Sequence, residues 1–187
     1  LSGSLASIEK SIASIDIASN AKSGDQIVGG IAGVVEKSAT IKYSYVEGNV
    51  NNVRHFGKVG GVAGNLWDRD SQDVSNSGKL SNVLSDVNVT NGNAISGDNF
   101  DNMKEDYAYS SKDNKVVNVV QVDDELVTKD SDVQRGTVLD TDKVKEKKAE
   151  LVSKHSTKVE DFDFTSRYTT NYNEVTGYQQ SREQAYK

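Results

Sequence analysis

Two histidines are the residues of this chain best suited to metal or acid–base chemistry, and their spacing decides what they can do. A zinc protease needs two histidines one helical turn apart with a glutamate beside the first, in the pattern H-E-x-x-H. His55 and His155 are separated by more than half of the chain, and neither is followed by glutamate. We therefore predict that the chain holds no catalytic residue, no metal ligand and no cofactor of its own.

Acidic residues around Gly97 are the second candidate. Asp98, Asp101, Glu105 and Asp106 follow this glycine, whereas a calcium loop of the D-x-[DN]-x-[DN]-G type places acids before its glycine. The chain has no cysteine, which excludes disulfides and thiolate metal sites. No arrangement for nucleophilic or paired-carboxylate catalysis is recognisable, so the chain is not predicted to be an enzyme.

A short glycine-rich phrase occurs twice and calls for a different explanation. Residues 28–33 read VGGIAG and residues 59–64 read VGGVAG. Their spacing falls within the period of roughly 20 to 50 residues that is the signature of stacked repeats. The phrase lacks the G-x-G-x-x-G spacing and the Lys-Ser/Thr ending of phosphate loops. We interpret its glycines as structural residues at the tight corner of a repeated β rung, namely Gly29, Gly30, Gly33, Gly60, Gly61 and Gly64.

Each phrase is followed by a tail of β character. Residues 41–50 read IKYSYVEGNV and residues 80–89 read LSNVLSDVNV. Gly48 predicts a turn before the last strand residue of the first tail. The gap between phrase and tail is eight residues longer in the second copy, so an insertion is predicted between Trp67 and Gly78. Solenoids place such insertions in loops on one face.

A third copy of the tail is predicted nearer the N-terminus. A further shift by the spacing of the two phrases leads to Ile8–Ile17, which has the same alternating character. Residues 1–3 would then stand in the place of residues 31–33. The chain is accordingly expected to begin inside a repeat, with earlier repeats cut away.

These strings resemble known sequences. IVGGIAG with IKYSYVEGNV, and KVGGVAG with LSNVLSDVNV, are similar to the GLUG repeat, a short β motif of bacterial surface proteins. This resemblance covers residues 1 to about 97. The interrupted second copy and the stretch from Tyr107 to Lys187 resemble the region upstream of the catalytic domain in streptococcal zinc metalloproteases of the immunoglobulin A1 protease family.

The resemblance implies a fold class and a role. The fold is expected to be mainly β with an α/β C-terminal part: a glycine-rich, β-helix-like solenoid over residues 1–100, then a small α+β domain over residues 101–187. The chain would be a non-catalytic accessory domain of a secreted or cell-wall-associated protease, with zinc only in the parent's catalytic domain. Its partners would be host immunoglobulin A1 and that catalytic domain. The alternative is a structural spacer or adhesin-like stalk of a Gram-positive surface protein.

The second half of the chain differs from the first in composition and in sequence pattern. Charged residues number 18 among the first 100 residues and 32 among the last 87, which supports a boundary near residues 97–104. Valine-rich composition after that boundary predicts strands, and a capping residue before an amphipathic run predicts a helix. The predicted elements are a hairpin of Tyr107–Ser110 with Val116–Val122, strands at Leu126–Lys129, Gly136–Leu139 and Lys158–Tyr168, a helix from Thr141 or Asp142 to about Lys154, and a second helix near Ser181.

The predicted insertion holds the best candidate for partner binding. Trp67, the only tryptophan, lies beside Leu66 and two residues before Arg69. Tryptophan and arginine are favoured at the hot spots of protein interfaces. The alternative is that Trp67 folds back and covers the edge of the solenoid.

Charge and hydropathy exclude two classes of partner. The net charge is −6, which is unfavourable for nucleic acid because phosphate binding needs clustered lysine and arginine. The basic run Lys143–Lys148 is interpreted as a solvated helix face. No stretch of about 18 apolar residues occurs, so no membrane insertion is expected. We expect a monomer.

Overall fold

The computed structural model describes residues 1–2, 6–20, 26–53, 57–66, 77–97, 108–122, 125–130 and 136–155. The compact unit described here is Leu1–His155. The predicted strand at Lys158–Tyr168 and the predicted helix near Ser181 lie outside the described residues.

The described residues are mostly β, with one helix, which confirms the mainly β expectation. The strands are β1 (Ser7–Glu9), β2 (Ile12–Ser19), β3 (Ile27–Gly29), β4 (Ala32–Val34), β5 (Thr40–Asn52), β6 (Lys58–Gly60), β7 (Ala63–Asn65), β8 (Lys79–Thr90), β9 (Ala108–Ser111), β10 (Val116–Val122), β11 (Glu125–Asp130) and β12 (Thr137–Leu139), and the helix is α1 (Thr141–His155).

Successive repeats lie side by side as parallel strands. β3 pairs with β6 and β4 with β7, in the register that the glycine phrase predicts, with Gly29 beside Gly60 and Ala32 beside Ala63. β5 pairs with β8 over almost its whole length, with Ile41 beside Leu80. The partners in this long pair are eight residues further apart in sequence than those in the glycine strands. The inserted residues therefore lie between Asn65 and Ser77, as predicted.

Each repeat contributes one layer of strands to the stack, and we call each such layer a rung. The first rung comprises β1 and β2, and the second comprises β3, β4 and β5. The third comprises β6, β7 and β8. The fourth comprises residues 93–97, which bridge to β6 and β7, with β9 and β10, which both pair with β8. The strands that follow residue 107 therefore join the same eight-stranded sheet as the repeats.

The third copy of the tail lies where it was predicted, at Ile8–Ile17. Ile8 lies beside Ile41 and Ile17 beside Val50 in the first tail. The spacing is two residues longer than that of the glycine phrase, and Ser2 bridges Glu36, not Ala32. The predicted spacing was wrong because the period of the short glycine strands does not carry over to the long strands, whose connecting turns have their own length.

Gly48 does not form the predicted turn. It lies inside the continuous strand β5, with a φ of 123°. A Cβ at this position would lie 1.9 Å from the carbonyl oxygen of Ile15 in the first rung. The glycine is therefore required by the close approach of two rungs, not by chain reversal.

The predicted hairpin also has different partners. β9 and β10 flank the turn at residues 112–115, but both run parallel to β8 and do not pair with each other. β10 instead forms an antiparallel pair with β11. β-branched composition identified the strands but carries no information about which neighbour each one pairs with.

Two kinds of buried contact hold the rungs together. The inner core contains aliphatic residues from each rung, including Ile41, Val46, Val62 and Val87, all 0% exposed. At one corner a polar ladder crosses the rungs: Asn52 donates to the Asn91 carbonyl and Asn91 to the Asn52 carbonyl. These bonds satisfy buried polar groups and fix the register of neighbouring rungs.

Candidate functional site

The repeated glycine phrase lies where two short strands of one rung meet at a corner. Gly29 ends β3 and Ala32 begins β4, and Gly60 and Ala63 repeat this in the third rung. A Cβ on Gly60 would lie 2.2 Å from the Ala63 carbonyl oxygen and 2.6 Å from the Ser96 Cα. Only glycine fits where backbones approach this closely.

The glycines of the phrase face two different neighbours. The added Cβ of Gly30 would meet the Gly61 carbonyl oxygen at 2.3 Å, and that of Gly61 would meet the Ala94 carbonyl oxygen at 2.2 Å, so both point to the following rung. The added Cβ of Gly64 would instead lie 2.7 Å from the Val28 nitrogen of the preceding rung. The phrase is thus a contact between rungs, and nothing in its geometry forms an anion cradle.

Of the three residues proposed as a partner contact, only Leu66 is among the described residues. Leu66 is 0% exposed and packs in the inner core. The expectation that it contacts a partner is corrected: as the residue after β7 it faces the core, and its proximity to Trp67 in the sequence was misleading. Trp67 and Arg69 lie outside the described residues.

Helix α1 packs on the outer face of the long sheet. Asp140 caps it: the Lys143 backbone N–H donates to Asp140 Oδ1 at 2.9 Å, which makes Asp140, rather than Thr141 or Asp142, the N-cap. This hydrogen bond from Lys143 lowers the pKa of the Asp140 carboxyl. The helix and the sheet share a second buried cluster of Leu84, Leu139, Val144 and Leu151, flanked by Tyr43, Tyr45 and Tyr109.

Two lysines of α1 turn towards this tyrosine face, which corrects the interpretation of Lys143–Lys148 as a solvated run at Lys147 and Lys148. Lys143 and Lys145 are exposed, as predicted. Lys147 Nζ lies 4.3 Å from the centre of the Tyr109 ring, and Lys148 Nζ lies 5.5 Å from that of Tyr45. A cation over an aromatic face is attracted by the ring quadrupole. The sequence signal that could have located this face is the recurrence of tyrosine at alternate positions of the first tail.

Lys148 joins two rungs through carboxylates. Its Nζ lies 2.7 Å from Glu47 Oε2 of the second rung and 2.5 Å from Asp86 Oδ2 of the third. Burial disfavours the charged amine, but the hydrogen bonds with Asp86 and Glu47 outweigh it and raise the pKa of Lys148. Without this lysine, two carboxylates in neighbouring strands would repel each other.

Glu150 is the centre of a second charged cluster. Lys154 Nζ and Lys147 Nζ lie 2.7 Å and 2.9 Å from its carboxylate oxygens, and Asn82 Nδ2 donates to Oε1 at 3.1 Å. The hydrogen bonds from Lys154, Lys147 and Asn82, in that order, lower the pKa of Glu150 to about 2. Asn82 has a left-handed φ of 54° within β8, so the cluster attaches the helix at a bend of the third rung.

The Glu150 cluster makes helix attachment sensitive to acid. The pKa of Glu150 in the folded protein, about 2, lies below its ordinary value of 4.5. The ion pairs and hydrogen bonds of Glu150 therefore stabilise the folded state fully above about pH 4.5, and this stabilisation is lost as the pH falls towards 2. We expect Glu150→Gln to flatten the fall in unfolding free energy across this window, measured by urea denaturation at several pH values. Glu146→Gln, on the exposed side of the helix, should leave the curve as in the wild type; equal effects of the two variants would contradict the account.

The charged clusters described here have a structural role. Their carboxylates are ion-paired with lysines of α1, and among the described residues no group of three or more His, Cys, Asp or Glu side chains is placed to hold a metal ion. His155 is the last residue of α1, and His55 and the acids after Gly97 lie outside the described residues. Within the described part of the chain, no helix is long and apolar enough to cross a membrane.

Comparison with known proteins identifies relatives along the whole chain. All 187 residues align at 50% identity with an immunoglobulin A1 protease of Streptococcus sanguinis and at 49% identity with one of Streptococcus pneumoniae serotype 4. The chain covers 10% and 9% of these relatives. It thus spans about a tenth of the length of the curated relatives it matches.

A solved structure agrees with the sequence comparison. A protein described as IgA1 protease matches 80% of this chain with a TM-score of 0.72 and 46% identity, using 11% of its own chain. No protein-family model matches the chain. The resemblance to immunoglobulin A1 proteases is therefore confirmed: the whole chain is homologous to one small segment of those proteins.

Proposed function

We propose that this chain is a non-catalytic accessory segment of a secreted or cell-wall-associated zinc metalloendopeptidase that cleaves immunoglobulin A1. The main support is that the whole chain is homologous, at 50% identity, to only a tenth of such a protease. In this proposal the parent's catalytic domain supplies the zinc and the chemistry. The segment supports recognition of the antibody or positions the protease domain.

The described geometry favours a scaffold. The rungs are joined by parallel backbone ladders, and α1 is attached to the second and third rungs through Lys148 and to the third through Asn82. A helix fixed to several rungs at once resists their separation, because each anchor must break before the layers can shear. Such a body suits the positioning of a large protein substrate relative to a distant active site.

We also propose that the stacked rungs form a β-helix-like solenoid of GLUG type. The support is the glycine phrase at equivalent corners of the second and third rungs, where Gly29 lies beside Gly60. Since no family model matches, the GLUG assignment depends on these residues alone. The proposed division into a repeat region to residue 100 and a following domain would be tested by limited proteolysis between them.

The partners follow from the same proposal. They are immunoglobulin A1, reached through the parent protease, and the parent's own catalytic domain. Trp67 and Arg69 in the insertion are the proposed anchors, because an insertion that interrupts a repeat forms a loop without disturbing the stack. No nucleic acid is proposed as a partner, in keeping with the net charge of −6.

The experiment compares two substrates of the parent protease. Intact immunoglobulin A1 and a short peptide with the same scissile bond are cleaved by the wild type, by a variant lacking this segment, and by Trp67→Ala. We expect both variants to lose about tenfold or more in kcat/KM on the intact antibody, equivalent to about 1.4 kcal/mol, and to retain cleavage of the peptide. Unchanged cleavage of the antibody by both would contradict the proposal.

The controls separate loss of recognition from loss of folding. If the deletion variant also fails on the peptide, it has damaged the catalytic domain, and Trp67→Ala then decides the question. Lys145→Ala, on the exposed side of α1, is the matched surface control and should leave both substrates unaffected.

A spacer or adhesin-like stalk is the second candidate, favoured by the same rigid stacking of parallel rungs. A spacer sets distance and binds nothing. It predicts that the isolated chain retains no host protein in a pull-down. Retention of immunoglobulin A1 that is lost on Trp67→Ala would exclude it.

A further inference from the structure

The two ends of the stack are built differently. At the C-terminal end, β10 pairs antiparallel with β11 over six residue pairs, from Val117 with Asp130 to Val122 with Glu125. At the N-terminal end, β2 pairs with β5 on one side, and no described strand pairs with it on the other. Among the described residues, one end of the stack therefore finishes in a strand of opposite direction, and at the other end the outer edge of β2 is unpaired.

The open edge of β2 carries a row of outward-facing backbone groups. Tyr45 N donates to the Ser11 carbonyl and Val53 N to the Ser19 carbonyl, both at 2.9 Å, so the odd-numbered residues around β2 bond to β5. Alternate residues of a strand direct their N–H and C=O to opposite sides. The backbone groups of residues 12, 14, 16 and 18 therefore point away from the stack. Asp16 is the only charged residue of this eight-residue strand, whereas natural edges are usually blunted by charges, proline or a cover.

The inner core is also unfinished at this end. Ala13, Ile15 and Ile17 of β2 are only half-buried, although they pack against the core. Their neighbours in the next rung, Val46 and Val50, are 0% and 1% exposed. The same contrast separates the partly buried Val28 and Ile31 of the second rung from the buried Val59 and Val62 of the third. Apolar side chains that lack cover on one face are what a further layer would bury.

The clearest indication of a missing layer comes from comparing the last glycine of the phrase in successive rungs. The last glycine of the phrase, Gly64, would bring a Cβ within 2.7 Å of the Val28 nitrogen, and its fourth-rung counterpart Gly97 within 2.3 Å of the Val59 nitrogen, each in the preceding rung. At the equivalent Gly33, the nearest described atom is the Ile27 carbonyl oxygen, 3.5 Å away and in its own rung. Gly33 thus has the residue type that a preceding rung demands, while no described residue makes the contact.

We propose that the N-terminal end of the stack is the docking surface for one more rung of the same class, supplied by the segment of the parent polypeptide that precedes Leu1. This segment first completes the first rung with two short glycine-containing strands beside β3 and β4. It then adds a long strand parallel to β2, with aliphatic side chains over Ala13, Ile15 and Ile17. The proposal rests on the stacking of the rungs and on the homology of this chain to one part of a longer protein, and it does not depend on the accessory role proposed above.

The structure favours this occupant over a second copy of the chain. Continuous parallel pairing already joins four rungs that follow one another along a single polypeptide, and the matched relatives carry about nine-tenths of their length outside this segment. Head-to-tail stacking of copies would continue the parallel pairing at both ends, but the far end finishes in β11, which runs antiparallel to β10. A further rung from the same polypeptide needs only the N-terminal end.

The first test uses Gly33→Ala in two chains: the 187-residue chain and the same chain extended by the natural preceding segment of roughly 45 residues, about one rung plus two short strands. We expect the substitution to change Tm by less than about 2 °C in the short chain and to lower it by more than about 6 °C in the extended one. Gly64→Ala, which already meets a preceding rung, is the matched control and should lower Tm similarly in both. Equal effects of Gly33→Ala in the two chains would overturn the proposal.

The second test measures amide hydrogen exchange along the outer edge of β2. If the extended chain does not fold, the full parent protease is used in its place. The amides of residues 12, 14, 16 and 18 should exchange fast in the short chain and at least about 100-fold more slowly in the longer protein, while those of 13, 15 and 17 are protected in both. Fast exchange of the even-numbered amides in the longer protein would refute the added strand. Protection that appears in the short chain only at high concentration would overturn the proposal in favour of a second copy as the occupant.

Discussion

Gly60→Ala is expected to be among the most damaging single substitutions in this chain, lowering the unfolding free energy by about 3 kcal/mol. The added methyl group would lie 2.2 Å from the Ala63 carbonyl oxygen, 2.6 Å from the Ser96 Cα and 2.7 Å from the Gly97 nitrogen. All three are backbone atoms, so no side chain can turn aside to make room. The measurement is urea denaturation of the 187-residue chain, followed by circular dichroism.

Gly33→Ala in the same chain is the control for Gly60→Ala. Gly33 also belongs to the phrase, but its added Cβ would lie 3.5 Å from the nearest described atom. A glycine with room for a methyl group tolerates alanine or is stabilised by it, because the unfolded chain loses freedom. A change within about 1 kcal/mol is expected. If both substitutions are tolerated, the corner is not a close approach of rungs.

Leu151→Ala should release helix α1 from the sheet at a cost of about 2 to 5 kcal/mol. Leu151 is 0% exposed and packs with Leu84 and Leu139 between the helix and the long sheet. Removing its side chain leaves a cavity at the centre of the only apolar contact that the described residues provide for α1. The loss is measured as the unfolding free energy, and exchange of the α1 amides reports whether the helix is released first.

Val152→Ala is the matched control for Leu151→Ala. Val152 is the next helical residue, but it is 45% exposed. Alanine has the higher helix propensity, so stability should stay within about 0.5 kcal/mol. Comparable losses from the two variants would show that α1 is held by propensity and charge rather than by packing.

Repetition made the arrangement of the rungs predictable from the sequence. The glycine phrase is a local sequence pattern, because only a close approach of two backbones requires glycine at these positions. Its regular recurrence correctly predicted the pairing of β3 with β6 and of β4 with β7. The eight-residue insertion followed from the unequal gaps between phrase and tail. These features are local in sequence or strictly periodic, so a single chain suffices to see them.

Features that depend on contacts across the fold were not predictable. The pairing of β10 with β11 rather than β9, and the tyrosine face that receives Lys147 and Lys148, are set by neighbours distant in sequence. A lysine run looks solvated when only its own helix is considered. Leu66 likewise looked exposed beside Trp67, but strand direction turns it into the core.

The contacts of the described residues support a mechanical role. Glycine corners let backbones approach, the asparagine ladder fixes register, and Lys148 and Glu150 attach a helix across the layers. Under the proposed function, the segment would influence proteolysis through where the antibody and the protease domain are held.

The most direct test of this account is the ratio of kcat/KM for intact immunoglobulin A1 to kcat/KM for the short peptide, measured for the parent protease with and without this segment. A scaffold that serves recognition or positioning predicts that removal lowers the ratio about tenfold or more while peptide cleavage persists. An unchanged ratio, with both substrates cleaved as by the wild type, would contradict the account and leave the segment as a spacer.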